Sequence, residues 1–179
     1  ETLGTKNGEK LDIAVDPLEG TNFVAQNLPD AMSVLAVTKS GNLLNAPDMY
    51  MEKIAIGPNL PQNLIDLDFD IKKNIKLLSQ AKNIKPDDLT ACLLNRPRHN
   101  KIVKSLNEMG TKIKFISDGD VSGAISVAYP NSAIDIYIGI GGAPEGVLAA
   151  SALKCYGAQM QTRLFFQNEN EKKRAITMG

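Results

Sequence analysis

Leu11-Asp12-Ile13-Ala14-Val15-Asp16-Pro17-Leu18-Glu19-Gly20-Thr21 is the stretch from which the fold is read. Its first five residues form a largely apolar run that predicts a buried strand. Pro17 and Gly20 predict where the strand stops, because proline lacks a ladder N–H and glycine opens backbone paths closed to other residues. Asp16 and Glu19 are thereby placed at the carboxyl end of a strand, where open α/β sheets hold their ligands. Hard divalent cations take oxygen ligands and often bridge a few carboxylates to a phosphate. Gly20 and Thr21 add backbone N–H groups and a hydroxyl at the same point. The same residues are also ordinary turn formers, so the spacing alone leaves a metal–phosphate site and a solvated turn both open.

Working outward, Met32–Val37 reads as a second buried strand and Met51–Ile56 as a third, ending at Gly57-Pro58. Residues 57–62 form a connector that suggests two lobes, 1–60 with the acidic motif and 61–179 beyond it. Apolar residues at helical spacing predict a helix over 71–81. After it come a strand at 89–95, a helix at 99–109 closed by Gly110, a strand at 112–116 and a helix at 121–128. A strand at 134–138, a helix at 144–156 and a strand at 158–166 complete the reading, leaving 167–174 as a polar stretch. Strands alternating with helices predict an α/β fold with parallel pairing in the second half.

The 179 residues carry 20 basic and 20 acidic side chains. That balance argues against the broad positive footprint of a nucleic-acid binder. No apolar run approaches the roughly 20 residues needed to span a bilayer, and no basic-then-apolar leader opens the sequence. Cys92 and Cys155 sit among apolar neighbours without a CxxC partner, and read as buried or half-buried free thiols of a reducing compartment, the cytoplasm. The chain starts at Glu1 without a methionine and stops at Gly179.

Four further clusters follow apolar runs. Glu145, in Gly141-Gly142-Ala143-Pro144-Glu145-Gly146, falls in a first helical turn, where an acid complements the helix dipole or serves a bound ligand. This glycine run is no dinucleotide fingerprint, since the third glycine of that pattern would fall on Pro144. Arg96 and Arg98 flank Pro97 at a strand end, and paired guanidinium forks either grip phosphate or lie in a surface turn. His99, beside them, is read as a helix-start residue. Asp118-Gly119-Asp120 offers carboxylates for metal, for sugar hydroxyls or for capping the next helix. Tyr50 is either a core aromatic with a wet tip or a hydroxyl donor to phosphate. Its neighbours Met49 and Met51 are read as packing.

Taken in order, Asp12–Thr21, Asn45–Lys53, Arg96–His99, Asp118–Asp120 and Gly139–Gly146 closely resemble the class II fructose-1,6-bisphosphatases, bacterial sugar phosphatases distantly related to the lithium-sensitive inositol monophosphatases. The resemblance runs over nearly the whole chain; the wider group more often has Asp where this sequence has Glu19. It implies a layered α-β-α-β-α fold with mixed sheets, incomplete at both ends, and thus a partial catalytic domain spanning 1–179. It further implies Mn²⁺ or Mg²⁺ held by Asp16, Glu19 and Glu145, together with acids from a preceding segment. Thr21 matches the residue that orients the attacking water. Glu19, Gly20, Thr21, Tyr50, Arg96, Pro97, Arg98, Asp118, Gly119, Asp120 and Gly142 match substrate-binding positions, the aspartates toward hydroxyls. The implied reaction is hydrolysis of the 1-phosphate of fructose 1,6-bisphosphate, in a homo-oligomer acting on a small sugar bisphosphate. Sedoheptulose 1,7-bisphosphate, an inositol phosphate, or binding without turnover are the alternatives.

Overall fold

The computed structural model describes residues 4–178 except Lys6. Glu1 and Gly179 therefore lie outside the described residues. Two sheets form. The smaller pairs β1 (Leu11–Glu19) with β2 (Met32–Lys39), antiparallel, with the short helix α1 (Thr21–Ala25) between them. The larger has five strands in the order β5-β4-β6-β3-β7: β5 (Lys112–Ile116), β4 (Thr90–Leu94), β6 (Ile136–Gly142), β3 (Tyr50–Ile56) and β7 (Gln159–Phe165). β4 runs parallel to both β5 and β6, whereas β3 is antiparallel to β6 and β7. The fold is α/β with a mixed sheet, and the parallel pairing falls in the second half of the chain as expected.

Both faces of the five-stranded sheet are covered. On one, Ile54, Ile56, Leu93 and Ile136 pack against Ile75 and Leu78 of α2 (Ile71–Lys82) and Leu106 of α3 (Asn100–Glu108). On the other, Ala55, Cys92 and Tyr137 meet α4 (Asp120–Ile125) and α5 (Ala143–Cys155). The far side of these helices receives Ala14, Val34 and Ala36 of the β1–β2 ribbon. Among the described residues the layers therefore read β-α-β-α.

Three sequence expectations need correction. β1 does not stop after Val15 but runs through Pro17 to Glu19, with a register irregularity between Asp16 and Glu19. Proline is tolerated there because its missing N–H falls in the bulge, not the regular ladder, and the Ser33 hydroxyl donates to the Pro17 carbonyl at 2.7 Å. Nor is either ribbon strand buried: Ile13, Val15, Leu35 and Val37 are each more than half exposed. In β1 the apolar Leu11, Ile13 and Val15 share the exposed face, while Asp12, Ala14 and Asp16 lie on the half-buried one. Cys155 is exposed, while Cys92 is buried as expected.

The connector at 57–62 leaves β3, which lies between β6 and β7. The suggested lobe division therefore cuts through one sheet. A last helix, α6 (Glu169–Thr177), occupies the stretch read as merely polar.

Candidate active site

The carboxyl ends of β4, β5 and β6 open on one edge of the large sheet, and the end of β1 comes to the same place through Glu19. Glu19 is 6 % exposed. Its Oε1 accepts a hydrogen bond from the Val121 N–H at 2.9 Å, across 102 residues of sequence. The Asn22 N–H in turn donates to Asp118 Oδ2 at 3.1 Å. These two bonds lace the acidic motif to the Asp118-Gly119-Asp120 loop. Phe23, buried, wedges its ring between Gly20 and Gly119, both at positive φ. A side chain at either glycine would strike that ring, so the two loops close on each other only because neither carries a Cβ.

Glycine also makes room for acids at the end of β6. A Cβ on Gly141 would overlap the Asp120 carboxylate, and one on Gly142 would overlap that of Glu145. The missing side chain at Gly142 is what lets the Glu145 carboxylate lie against this strand end. Pro144 lies in the first turn of α5, as expected, and Glu145 follows it.

Burial pushes the Glu19 carboxyl up to about 7; the Val121 N–H opposes this, while contact with Asp16 and the charges of Asp16 and Glu145 add to the rise. Asp16 and Glu145 therefore both bear on Glu19. Glu145 Oε2 is buried with no hydrogen-bond partner, a costly state for a carboxylate oxygen. An all-oxygen donor set with mutual repulsion and an orphaned oxygen fits a hard divalent cation. As they stand the side chains do not close into a coordination sphere: among the described residues no three His, Cys, Asp or Glu side chains are grouped to hold a metal ion. The approach of Asp16 and Glu145 to Glu19 and the orphaned oxygen are the observations that favour a cation.

Arg98 and Tyr50 come together as well. The Arg98 guanidinium lies over the Tyr50 ring, 4.8 Å from its centre, and its Nε donates to the Ile140 carbonyl at 2.9 Å. Tyr50 pairs across the ladder with Gly142, so the ring, the guanidinium and Glu145 occupy neighbouring strand ends. Arg96 is directed to the Asn95 carbonyl at 3.0 Å, and Pro97 starts the 3-10 turn Pro97–His99. Thr21 is exposed at the start of α1. Met49 and Met51 pack with Ala143, as read from the sequence.

The Asp120 carboxylate faces the core. It is 7 % exposed and turned inward, ion-paired to the fully buried Lys53 and accepting from the Tyr137 hydroxyl. Asp118, by contrast, is half-buried at the loop surface. His99 is no ligand: one ring nitrogen meets the Leu94 carbonyl at 2.7 Å, and the other accepts from the Ile140 N–H at 2.8 Å.

Sequence reasoning missed Phe23, Lys53 and Tyr137. The signal for Lys53 was there: it alternates with Met51 and Ala55 on one face of a strand, a lysine where an apolar residue is expected.

The family model for bacterial fructose-1,6-bisphosphatase, glpX-encoded, matches residues 1–179. The chain belongs to this family. It is 41 % identical over 169 residues to a protein named fructose-1,6-bisphosphatase class 2 from Haemophilus influenzae, covering 94 % of this chain and 50 % of the relative. It is also 41 % identical over 160 residues to proteins named D-fructose 1,6-bisphosphatase class 2/sedoheptulose 1,7-bisphosphatase from two Synechococcus strains, covering 89 % of this chain and 46 % of each relative. The chain spans about half the length of the curated relatives it matches.

Proposed function

We propose that the whole protein hydrolyses the 1-phosphate of fructose 1,6-bisphosphate to fructose 6-phosphate and phosphate, with a divalent cation, in the cytoplasm and as a homo-oligomer. The observation that carries this reading is the coupling of Asp16, Glu19 and Glu145 beside the Arg98–Tyr50 stack, and family membership supports the substrate class. Asp16, Glu19 and Glu145 would hold the cation, Mn²⁺ or Mg²⁺. When bound, it neutralises phosphate charge and acidifies water.

The chain's own groups supply the rest. Thr21 offers a hydroxyl to orient the attacking water, and Gly20 an N–H toward the phosphate. Arg98, with its charge fixed over Tyr50, meets the substrate's phosphate, with Arg96 beside it at the same strand end. The Tyr50 hydroxyl reaches toward the same group. Asp118 and Gly119 are the part of their loop nearest the sugar hydroxyls. In-line displacement needs chiefly positioning and charge stabilisation, which these residues provide.

Phosphate release from fructose 1,6-bisphosphate with Mn²⁺ tests the reading. Glu19→Gln is expected to lower the rate by about a hundredfold or more; a rate within a few-fold of the unmodified protein rejects the metal assignment. Sedoheptulose 1,7-bisphosphate is the second substrate to measure, because two relatives carry both activities in their names. Binding of the sugar bisphosphate by calorimetry without phosphate release would instead indicate a binding module.

A further inference from the structure

Lys53 is a lysine with 0 % exposure in the middle of a β-sheet. A buried ammonium is costly unless paired and hydrogen-bonded, and its partner is Asp120. Tyr137, also at 0 % exposure, donates its hydroxyl to the other oxygen of the same carboxylate. Both oxygens of Asp120 are thereby engaged from the core side. The partners come from β3 and β6, neighbours in the sheet, whereas Asp120 begins α4.

Two contacts lead from this triad to the acids. The residue after Asp120 is Val121, whose N–H holds Glu19 Oε1 at 2.9 Å. Lys53 also lies against the first turn of α5: a Cβ built on Gly146 would come within 3.2 Å of its Cε and 3.7 Å of its Nζ. Gly146 directly follows Glu145. One buried cation therefore lies against the turn that carries Glu145 and pairs with the residue next to the one whose N–H holds Glu19.

We infer that Lys53, acting through Asp120 and Tyr137, is a positioning residue that sets the separation of Glu19 and Glu145. The inference rests on the proposed divalent-cation site.

The test is Mn²⁺ binding to the purified protein, followed without substrate by the electron paramagnetic resonance signal of free Mn²⁺. Lys53→Met is expected to weaken Mn²⁺ binding about tenfold or more. Tyr137→Phe, which removes one hydroxyl and leaves an Asp120 oxygen without its partner, should weaken it about threefold to tenfold and lower the melting temperature by a few degrees. Asp120→Asn, which takes the charge from the partner of Lys53, should weaken Mn²⁺ binding about tenfold. If Lys53→Met does not fold, the other two variants decide. Unaltered Mn²⁺ binding in Tyr137→Phe and Asp120→Asn together would overturn the inference. An unmodified protein that binds no Mn²⁺ removes the metal site and this inference together; one that binds it equally well in every variant removes the inference alone.

Discussion

His99 shows how much a single side chain contributes when its environment is closed. Its ring bridges the Leu94 carbonyl and the Ile140 N–H with no exposed surface, and a Cβ on Gly139 would press on it at 3.1 Å. Burial lowers its pKa, so the folded state keeps the ring neutral. The unfolded chain takes up the proton near pH 6.5. The stability this gives is whole above that pH and is lost as pH falls from there toward the lowered folded value. Urea midpoints are expected to drop below pH 6.5, and to drop less steeply in His99→Gln. Gly142→Ala is expected to displace the Glu145 carboxylate and weaken Mn²⁺ binding about tenfold while the melting temperature changes little, because what must move is the end of a flexible side chain. Burial raises the Cys92 thiol to about 11. A thiol reagent at pH 8 should therefore label Cys155 in the native protein, and both cysteines only after denaturation.

At the scale of elements, helix ends follow local rules closely. Asp70 caps α2 by accepting from the Lys73 N–H at 2.7 Å, and Asp70→Ala should cost about 1 kcal/mol in chemical denaturation. α6 has the same kind of start: Asn168 accepts from the Glu171 N–H at 3.0 Å while Glu171 accepts from the Gln167 N–H at 2.7 Å. That reciprocal cap was legible as Asn168…Glu171. It passes unnoticed because α6 buries no residue and so lacks the apolar periodicity by which helices are found. β1 fails in the opposite sense. Its apolar run is a real strand, but the face carrying Leu11, Ile13 and Val15 is the exposed one and the face with Asp12, Ala14 and Asp16 turns inward, the reverse of what alternation suggests.

For the whole molecule, the open face of the ribbon is the main liability. Ile13 stands opposite Val37 and Val15 opposite Leu35 across the ladder, and these four make a contiguous apolar surface, all more than half exposed. Such surfaces mark interaction sites or aggregation hazards. The 179-residue chain should therefore bind an apolar dye and self-associate in light scattering. Ile13→Lys with Val37→Lys should reduce both while leaving the melting temperature within a few degrees. Among the described residues no helix is long and apolar enough to cross a membrane.

The order of strands and helices, the acids at strand ends and the glycines beside them were fixed by local chemistry: alternation, chain breakers and caps act over a few residues, and a sequence displays them directly. The pairing of Lys53 with Asp120, the Val121 bond to Glu19 and the Phe23 wedge between Gly20 and Gly119 join residues far apart in the chain. Such contacts exist only once the sheet and α4 have packed, because a buried charge or an aromatic ring takes its meaning from whatever the tertiary fold brings within a few ångströms of it.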